Sequence, residues 1–112
     1  MSVTIYHNPR CSKSRQTLQL LHDNGIEPTI VDYLATPPSA AELTEILTKL
    51  NKGPRDVIRK KEAREEGIDA SLDGDALIAA IAAHPRTLER PIVVKGDKAA
   101  MGRPPESVLD IL

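Results

Sequence analysis

The first thirty-three residues place the tightest constraint on the fold. Val3-Thr4-Ile5-Tyr6 reads as a short strand. It is cut off at His7-Asn8-Pro9, because proline has no N–H to donate and restricts the residue before it. A helix is expected from Ser12 to Asn24, with Leu18 and Leu21 on one face and Leu20 beside them. Gly25 stands where a left-handed residue ends such a helix. Residues 29–33, Thr-Ile-Val-Asp-Tyr, make a second strand. Strand, helix and strand in this space form a βαβ unit, so the two strands should be parallel with a right-handed crossover.

The middle of the chain reads as helical, an insertion over roughly 39–84. Ser39-Ala40-Ala41-Glu42 fits a capping box, followed by an apolar stripe of Leu43, Ile46, Leu47 and Leu50. Pro54 suits a first helical turn, and the short helix expected there carries Val57, Ile58, Arg59, Lys60 and Lys61. Glu62 to Gly67 is charged and has no clear periodicity. Asp73 can cap a third helix with Leu77, Ile78 and Ile81 inward, Leu72 stapling onto Leu77, and an end before His84-Pro85. Ile92-Val93-Val94 is a buried strand, Gly96-Asp97 a tight turn, and Lys98 to Met101 an antiparallel return. After Gly102-Arg103-Pro104, Pro105 opens a last helix with Val108, Leu109 and Leu112. This order gives an α/β fold: a four-stranded mixed sheet of thioredoxin type with a helical insertion between strands 2 and 3, in one domain of 112 residues.

Composition narrows the function. Fifteen Lys+Arg against sixteen Asp+Glu leave a formal charge of −1, which argues against a bulk electrostatic grip on nucleic acid. There is no Phe or Trp and there are two Tyr, so the core is aliphatic and a base-stacking platform is not expected. No apolar run is long enough to span a bilayer, and the start lacks the pattern of a signal peptide. One cysteine excludes an intramolecular disulfide. Together these point to a cytoplasmic protein.

That cysteine is the most informative residue. Cys11 follows the first strand at the entrance of the first helix, at the sheet edge where α/β ligand sites gather. Unpaired helix N–H groups and the helix dipole favour a thiolate there. Arg10, Lys13 and Arg15 add positive charge. A free cysteine is most often a small buried hydrophobe, but the neighbours from His7 to Gln16 are polar or charged at almost every position. Cys11 therefore reads as a nucleophile. Position 14 is Ser, so no C-x-x-C dithiol exists and any resolving thiol must come from outside. One Cys and three scattered His make no zinc site, and no metal is expected. Position 17 is Thr, so the C-x5-R spacing of phosphatase-type loops is absent.

Three arginines stand at element boundaries or in the insertion: Arg59, Arg90 and Arg103. A guanidinium fork matches a tetrahedral oxyanion, and several of them at a helix N-terminus would form an oxyanion site. In a thioredoxin-like sheet the segment before strand three faces the helix entrance, which would bring Arg90 to Cys11. Arg55, Arg64 and Arg86 read as solvated surface charges. His7 has two open readings, a loop residue bonded to its neighbours or a charge partner that lowers the Cys11 pKa.

These stretches resemble the bacterial glutaredoxin-coupled arsenate reductases. The likeness runs through His7-Asn8-Pro9, Cys11-Ser12-Lys13-Ser14-Arg15-Gln16-Thr17-Leu18, Glu27-Pro28-Thr29, Tyr33-Leu34, Pro37-Pro38-Ser39, Ile58-Arg59-Lys60, Arg90-Pro91-Ile92-Val93-Val94 and Gly102-Arg103-Pro104. The resemblance implies a thioredoxin-like fold and Cys11 as the catalytic thiolate. It implies Arg59, Arg90 and Arg103 as the oxyanion-binding arginines and His7 as the modulator of the Cys11 pKa. Ser14 and Arg15 would support the thiolate and its loop, and Pro91 would be a cis proline. It further implies arsenate as substrate, glutathione as co-substrate with no tightly bound cofactor, glutaredoxin as partner, and action as a monomer. Two other readings stand beside it. One is a glutathione-dependent thiol reductase of another substrate. The other is a redox regulator of Spx type, whose C-x-x-C switch Ser14 precludes.

Overall fold

The computed structural model describes residues 2–112. Two compact units divide the chain: one runs to Thr36 and resumes at Arg90, and the other is Pro37–Glu89.

The first unit holds the sheet. Strand β1 (Val3–His7) leads into helix α1 (Ser12–Asp23) and then β2 (Thr29–Asp32). After the insertion come β3 (Ile92–Lys95) and β4 (Lys98–Met101). The strand order is β2-β1-β3-β4. β1 and β2 are parallel, with Ile5 opposite Ile30, whereas β1–β3 and β3–β4 are antiparallel. This is the four-stranded mixed sheet of a thioredoxin-like fold, with the insertion between β2 and β3.

Side chains alternate along β1 as a strand with one buried face requires. Val3, Ile5 and His7 are buried, and Thr4 and Tyr6 are half-buried. Val3 and Ile5 join Leu21, Val93 and Val108 in an aliphatic core, with Leu18, Leu20, Ile26 and Ala100 packed against it. Gly25 closes α1 at φ +75°, the left-handed position expected of it.

The last segment departs from expectation. Pro105–Ile111 is a 3-10 helix, not an α-helix. Its tighter turn buries Val108 but leaves Leu109 41% exposed, because side chains three apart eclipse along one narrow edge. The peptide bonds Arg90-Pro91 and Arg103-Pro104 are both cis, and only the first was anticipated.

The second unit holds α2 (Ala40–Leu50), α3 (Lys60–Glu65) and α4 (Gly74–Ala83). The capping box is complete: Glu42 N–H donates to Ser39 Oγ, and Ser39 N–H donates to Glu42 Oε1. Leu43, Ile46, Leu47 and Leu50 of α2 are buried, as are Leu77, Ile78 and Ile81 of α4, and the two helices pack together. Asp73 caps α4 through the N–H of Gly74.

The short helix expected to carry Val57 to Lys61 does not form as one piece. Pro54–Asp56 is a single 3-10 turn. The next residues are extended: Ile58 bridges Leu88, Arg59 N–H donates to Thr87 O, and Glu89 N–H donates to Val57 O, the last two at 2.7 Å. β-branched Val57 and Ile58 favour this pairing over a helical turn. Helix α3 begins only at Lys60 and takes in Glu62 to Glu65 of the charged stretch whose state the sequence left open, while Glu66 and Gly67 form the turn that ends it.

Candidate active site

Cys11 is the N-cap of α1, with φ −92° and ψ 123°. Two backbone bonds define its turn: Cys11 N–H donates to Asn8 O, and Arg15 N–H donates to Cys11 O, each at 3.0 Å. In this position the side chain sits over the free N–H groups of the first helical turn.

Opposing influences act on the thiol. Burial is the largest and works against the charged form. The backbone N–H of Ser14, the Arg90 guanidinium and the N–H of Lys13 together outweigh it. The net effect holds the Cys11 pKa below the ordinary thiol value of 9.0. Arg103 also points its terminal nitrogen at Cys11 Sγ, 3.7 Å away. Its Nε donates to Arg90 O at 2.8 Å, so the two arginines flank the sulfur as a linked pair.

Beneath the cysteine lies a buried polar layer. His7, Asn8 and Ser14 are 6%, 7% and 0% exposed. Ser14 Oγ lies 2.6 Å from His7 Nδ1 and accepts the N–H of Asn8 at 3.0 Å. The Asn8 side-chain oxygen in turn accepts Arg10 N–H. Arg15 reaches back across the turn to donate to Pro9 O. These bonds fix the loop between β1 and α1, and with it the direction of the Cys11 side chain.

The surroundings of the His7 ring disfavour its charged form. Burial lowers its pKa from 6.5, the Asp32 charge pulls it back up, and the Arg15 charge adds to the lowering. Through its Nδ1 the ring meets the hydroxyl of Ser14, the residue whose backbone N–H faces the Cys11 sulfur.

Arg59 belongs to the insertion. It is not inside a helix, as the sequence suggested, but is the N-cap residue of α3 at the end of the extended segment. Its guanidinium is held by Glu62 and Glu89, at 2.5 and 2.8 Å. Arg55 pairs with Asp73, and Arg86 with Glu65 and Glu66. A cleft of about 370 Å³ in the insertion is lined by Arg55, Ile58, Lys60, Arg64, Leu72 and Leu77 among others, and none of Cys11, Arg90 or Arg103 takes part in it.

Of the residues proposed from sequence, the sheet unit brings together Cys11, His7, Ser14, Arg15, Arg90 and Arg103. Two contributors were not singled out. Asn8 read only as a strand breaker, although a buried Asn before Pro is suited to bonding the turn that follows. Gly102 read only as a break after β4.

Fold and site together define a thioredoxin-like protein with a single-cysteine centre. The chain belongs to the ArsC family, whose sequence model matches residues 6–111. It is 47% identical to the arsenate reductase of Haemophilus influenzae, with both chains covered in full. It is 51% identical to the uncharacterized protein YfgD of Escherichia coli K12, covering 98% of this chain and 96% of that one. The structure of arsenate reductase from Vibrio cholerae superposes with a TM-score of 0.93 at 50% identity, covering 100% of this chain and 98% of the other. Among the described residues no helix is long and apolar enough to cross a membrane.

Proposed function

We propose that this chain reduces arsenate to arsenite, with Cys11 as the nucleophile and with glutathione and glutaredoxin as the source of electrons. The observation that carries the reading is the Cys11 sulfur at a helix N-terminus with Arg90 and Arg103 beside it. A thiolate and an oxyanion repel each other. Guanidinium groups and helix N–H donors offset that repulsion and hold the anion within reach of the sulfur.

The steps follow from this arrangement. Arsenate binds the arginines, and the thiolate attacks arsenic to form an S–As bond as hydroxide leaves and takes up a proton. A glutathione thiolate then attacks the Cys11 sulfur. An S–S bond forms, the S–As bond breaks, and its electron pair stays on arsenic, which departs as arsenite. The two electrons come from the two sulfurs, now joined as a Cys11–glutathione disulfide. Glutaredoxin reduces that disulfide, since the chain has no second cysteine to do so. Arg59 enters the proposal through its match to the family motif, as a third arginine for the oxyanion. The protein is read as a cytoplasmic monomer without a bound cofactor.

The test is a coupled assay. NADPH oxidation is followed with glutathione, glutathione reductase and glutaredoxin, with and without arsenate. Turnover that requires arsenate, vanishes in Cys11→Ser and weakens in Arg90→Ala and Arg103→Ala supports the proposal. No arsenate dependence with active coupling enzymes sinks it. A Cys11 that still reacts as a low-pKa thiol would then favour a glutathione-dependent thiol reductase of another substrate.

A further inference from the structure

The chain leaving β4 crosses α1 at unusually close range. Gly102 is buried, and its N–H donates to Pro91 O at 2.9 Å. A Cβ built on Gly102 would overlap Thr17 Oγ1, lie 2.7 Å from Pro91 Cγ and sit 3.1 Å from Thr17 Cγ2. Neither neighbour can give way easily. Thr17 is fully buried, and its Oγ1 donates to Lys13 O at 2.8 Å, which fixes its rotamer. The Pro91 ring has no rotatable side chain.

The residue after this crossing is Arg103. Its Nε is bonded to Arg90 O at 2.8 Å and its terminal nitrogen stands 3.7 Å from Cys11 Sγ. Two successive residues are thus pinned to the Arg90-Pro91 segment, one by backbone and one by side chain. The 3.7 Å reach to sulfur is already long, so a small outward shift of residue 102 removes it.

We infer that Gly102 is a positioning residue for the cysteine centre: by having no side chain against Thr17 and Pro91, it sets the register between α1 and the β4 exit that brings Arg103 onto the Cys11 sulfur. The inference deepens the proposed function, in that Arg103 is read there as an oxyanion-binding group. It concerns a charge beside the sulfur, however, and can be tested without arsenate.

The experiment compares Cys11 alkylation by anionic iodoacetate with alkylation by neutral iodoacetamide. The ratio of the two rates reports positive charge next to the sulfur and cancels changes in thiolate fraction. Arg103→Ala should lower the ratio about two- to fivefold, the range of one partly exposed charge pair. Gly102→Ala should lower it by the same factor. The double variant should fall no further, since both changes remove one interaction. Thr17→Val, which keeps the shape of the side chain, should leave the ratio near wild type.

An unchanged ratio in Gly102→Ala overturns the inference. So does an additive fall in the double variant, because the glycine would then act elsewhere. So does a wild-type ratio equal to that of Arg103→Ala. Should Gly102→Ala fail to fold, the Gly102→Ala/Thr17→Ala pair relieves two of the three contacts and should fold with a partly restored ratio. If that pair fails as well, the glycine serves the fold as a whole and the inference falls. A wild type that lacks arsenate turnover yet shows the predicted ratios refutes the substrate and leaves the positioning role standing.

Discussion

Replacing Ser14 by Ala should cost far more stability than the loss of one hydroxyl suggests. The Ser14 hydroxyl faces two buried groups, the N–H of Asn8 at 3.0 Å and Nδ1 of His7 at 2.6 Å. Ser14 is fully buried and both partners are nearly so. Alanine therefore leaves a backbone donor and a ring nitrogen without partners, and no solvent replaces the hydroxyl. Each unsatisfied buried group costs about 1–3 kcal/mol, so the loss of both partners should cost about 2–6 kcal/mol. For 112 residues the unfolding entropy near the midpoint is about 0.24 kcal/mol/K. The melting temperature should then fall by about 8–25 °C. Urea unfolding should show a lower midpoint with an unchanged slope. Ser12→Ala, two residues earlier and exposed, serves as control and should stay within about 0.5 kcal/mol. The N–H of Ser14 that supports the Cys11 thiolate survives the substitution, so Cys11 reactivity should change less than in Arg90→Ala. A Ser14→Ala loss no larger than that of Ser12→Ala would refute the view that this hydroxyl organises the buried layer.

Other consequences follow from the same geometry. The rate of Cys11 alkylation by iodoacetamide should rise with pH to a plateau, with its midpoint below 9.0, and the midpoint should move up in Arg90→Ala; a midpoint at or above 9.0 in wild type contradicts the site electrostatics. The thiolate also contributes stability that is fully present above pH 9.0 and lost as pH falls through the depressed folded pKa; Cys11→Ser should lack this pH-dependent part in urea titrations across that window. His7 has a folded pKa below 6.5, so the unfolded chain takes up the proton first: stability should decline as pH falls from 6.5 toward the folded value, and His7→Gln should remove that slope. Ser39→Ala removes the Oγ that accepts the Glu42 N–H in the α2 capping box, leaves the backbone N–H of residue 39 bonded to Glu42, and should lower stability by about 1 kcal/mol in the same urea titration.

The parts of the fold legible in the sequence were those with strong local signals. The β1–α1–β2 unit followed from a proline break, a helical leucine spacing and a glycine at the helix end. The capping box marked the start of α2. Where the sequence misled, two signals competed. Pro54 favours a helical start, but Val57 and Ile58 pair with the segment around Leu88, a partner thirty residues away that no local window shows. Arg59 consequently lies at the mouth of α3. The inward face of α1 was only half seen: Leu18 and Leu21 announce it, yet its first turns bury Ser14 and Thr17. Polar residues on a buried face carry no hydrophobic signal, because their burial is sustained by hydrogen bonds to groups elsewhere in the fold. The site was legible as chemistry at Cys11. Its assembly from Arg90, Arg103 and the crossing at Gly102 depends on antiparallel pairing of β3 and β4 beside β1, which is tertiary information.

The central claim is that Cys11 and an external thiol jointly deliver two electrons to a bound oxyanion. Intact-mass measurement of the protein after incubation with arsenate and reduced glutathione, with glutaredoxin left out, tests it most directly. The account predicts that a glutathione adduct accumulates on Cys11 to one equivalent per chain, only when arsenate is present, with arsenite released in equal amount. An adduct that forms equally well without arsenate, or arsenite released from the Cys11→Ser variant, would contradict it.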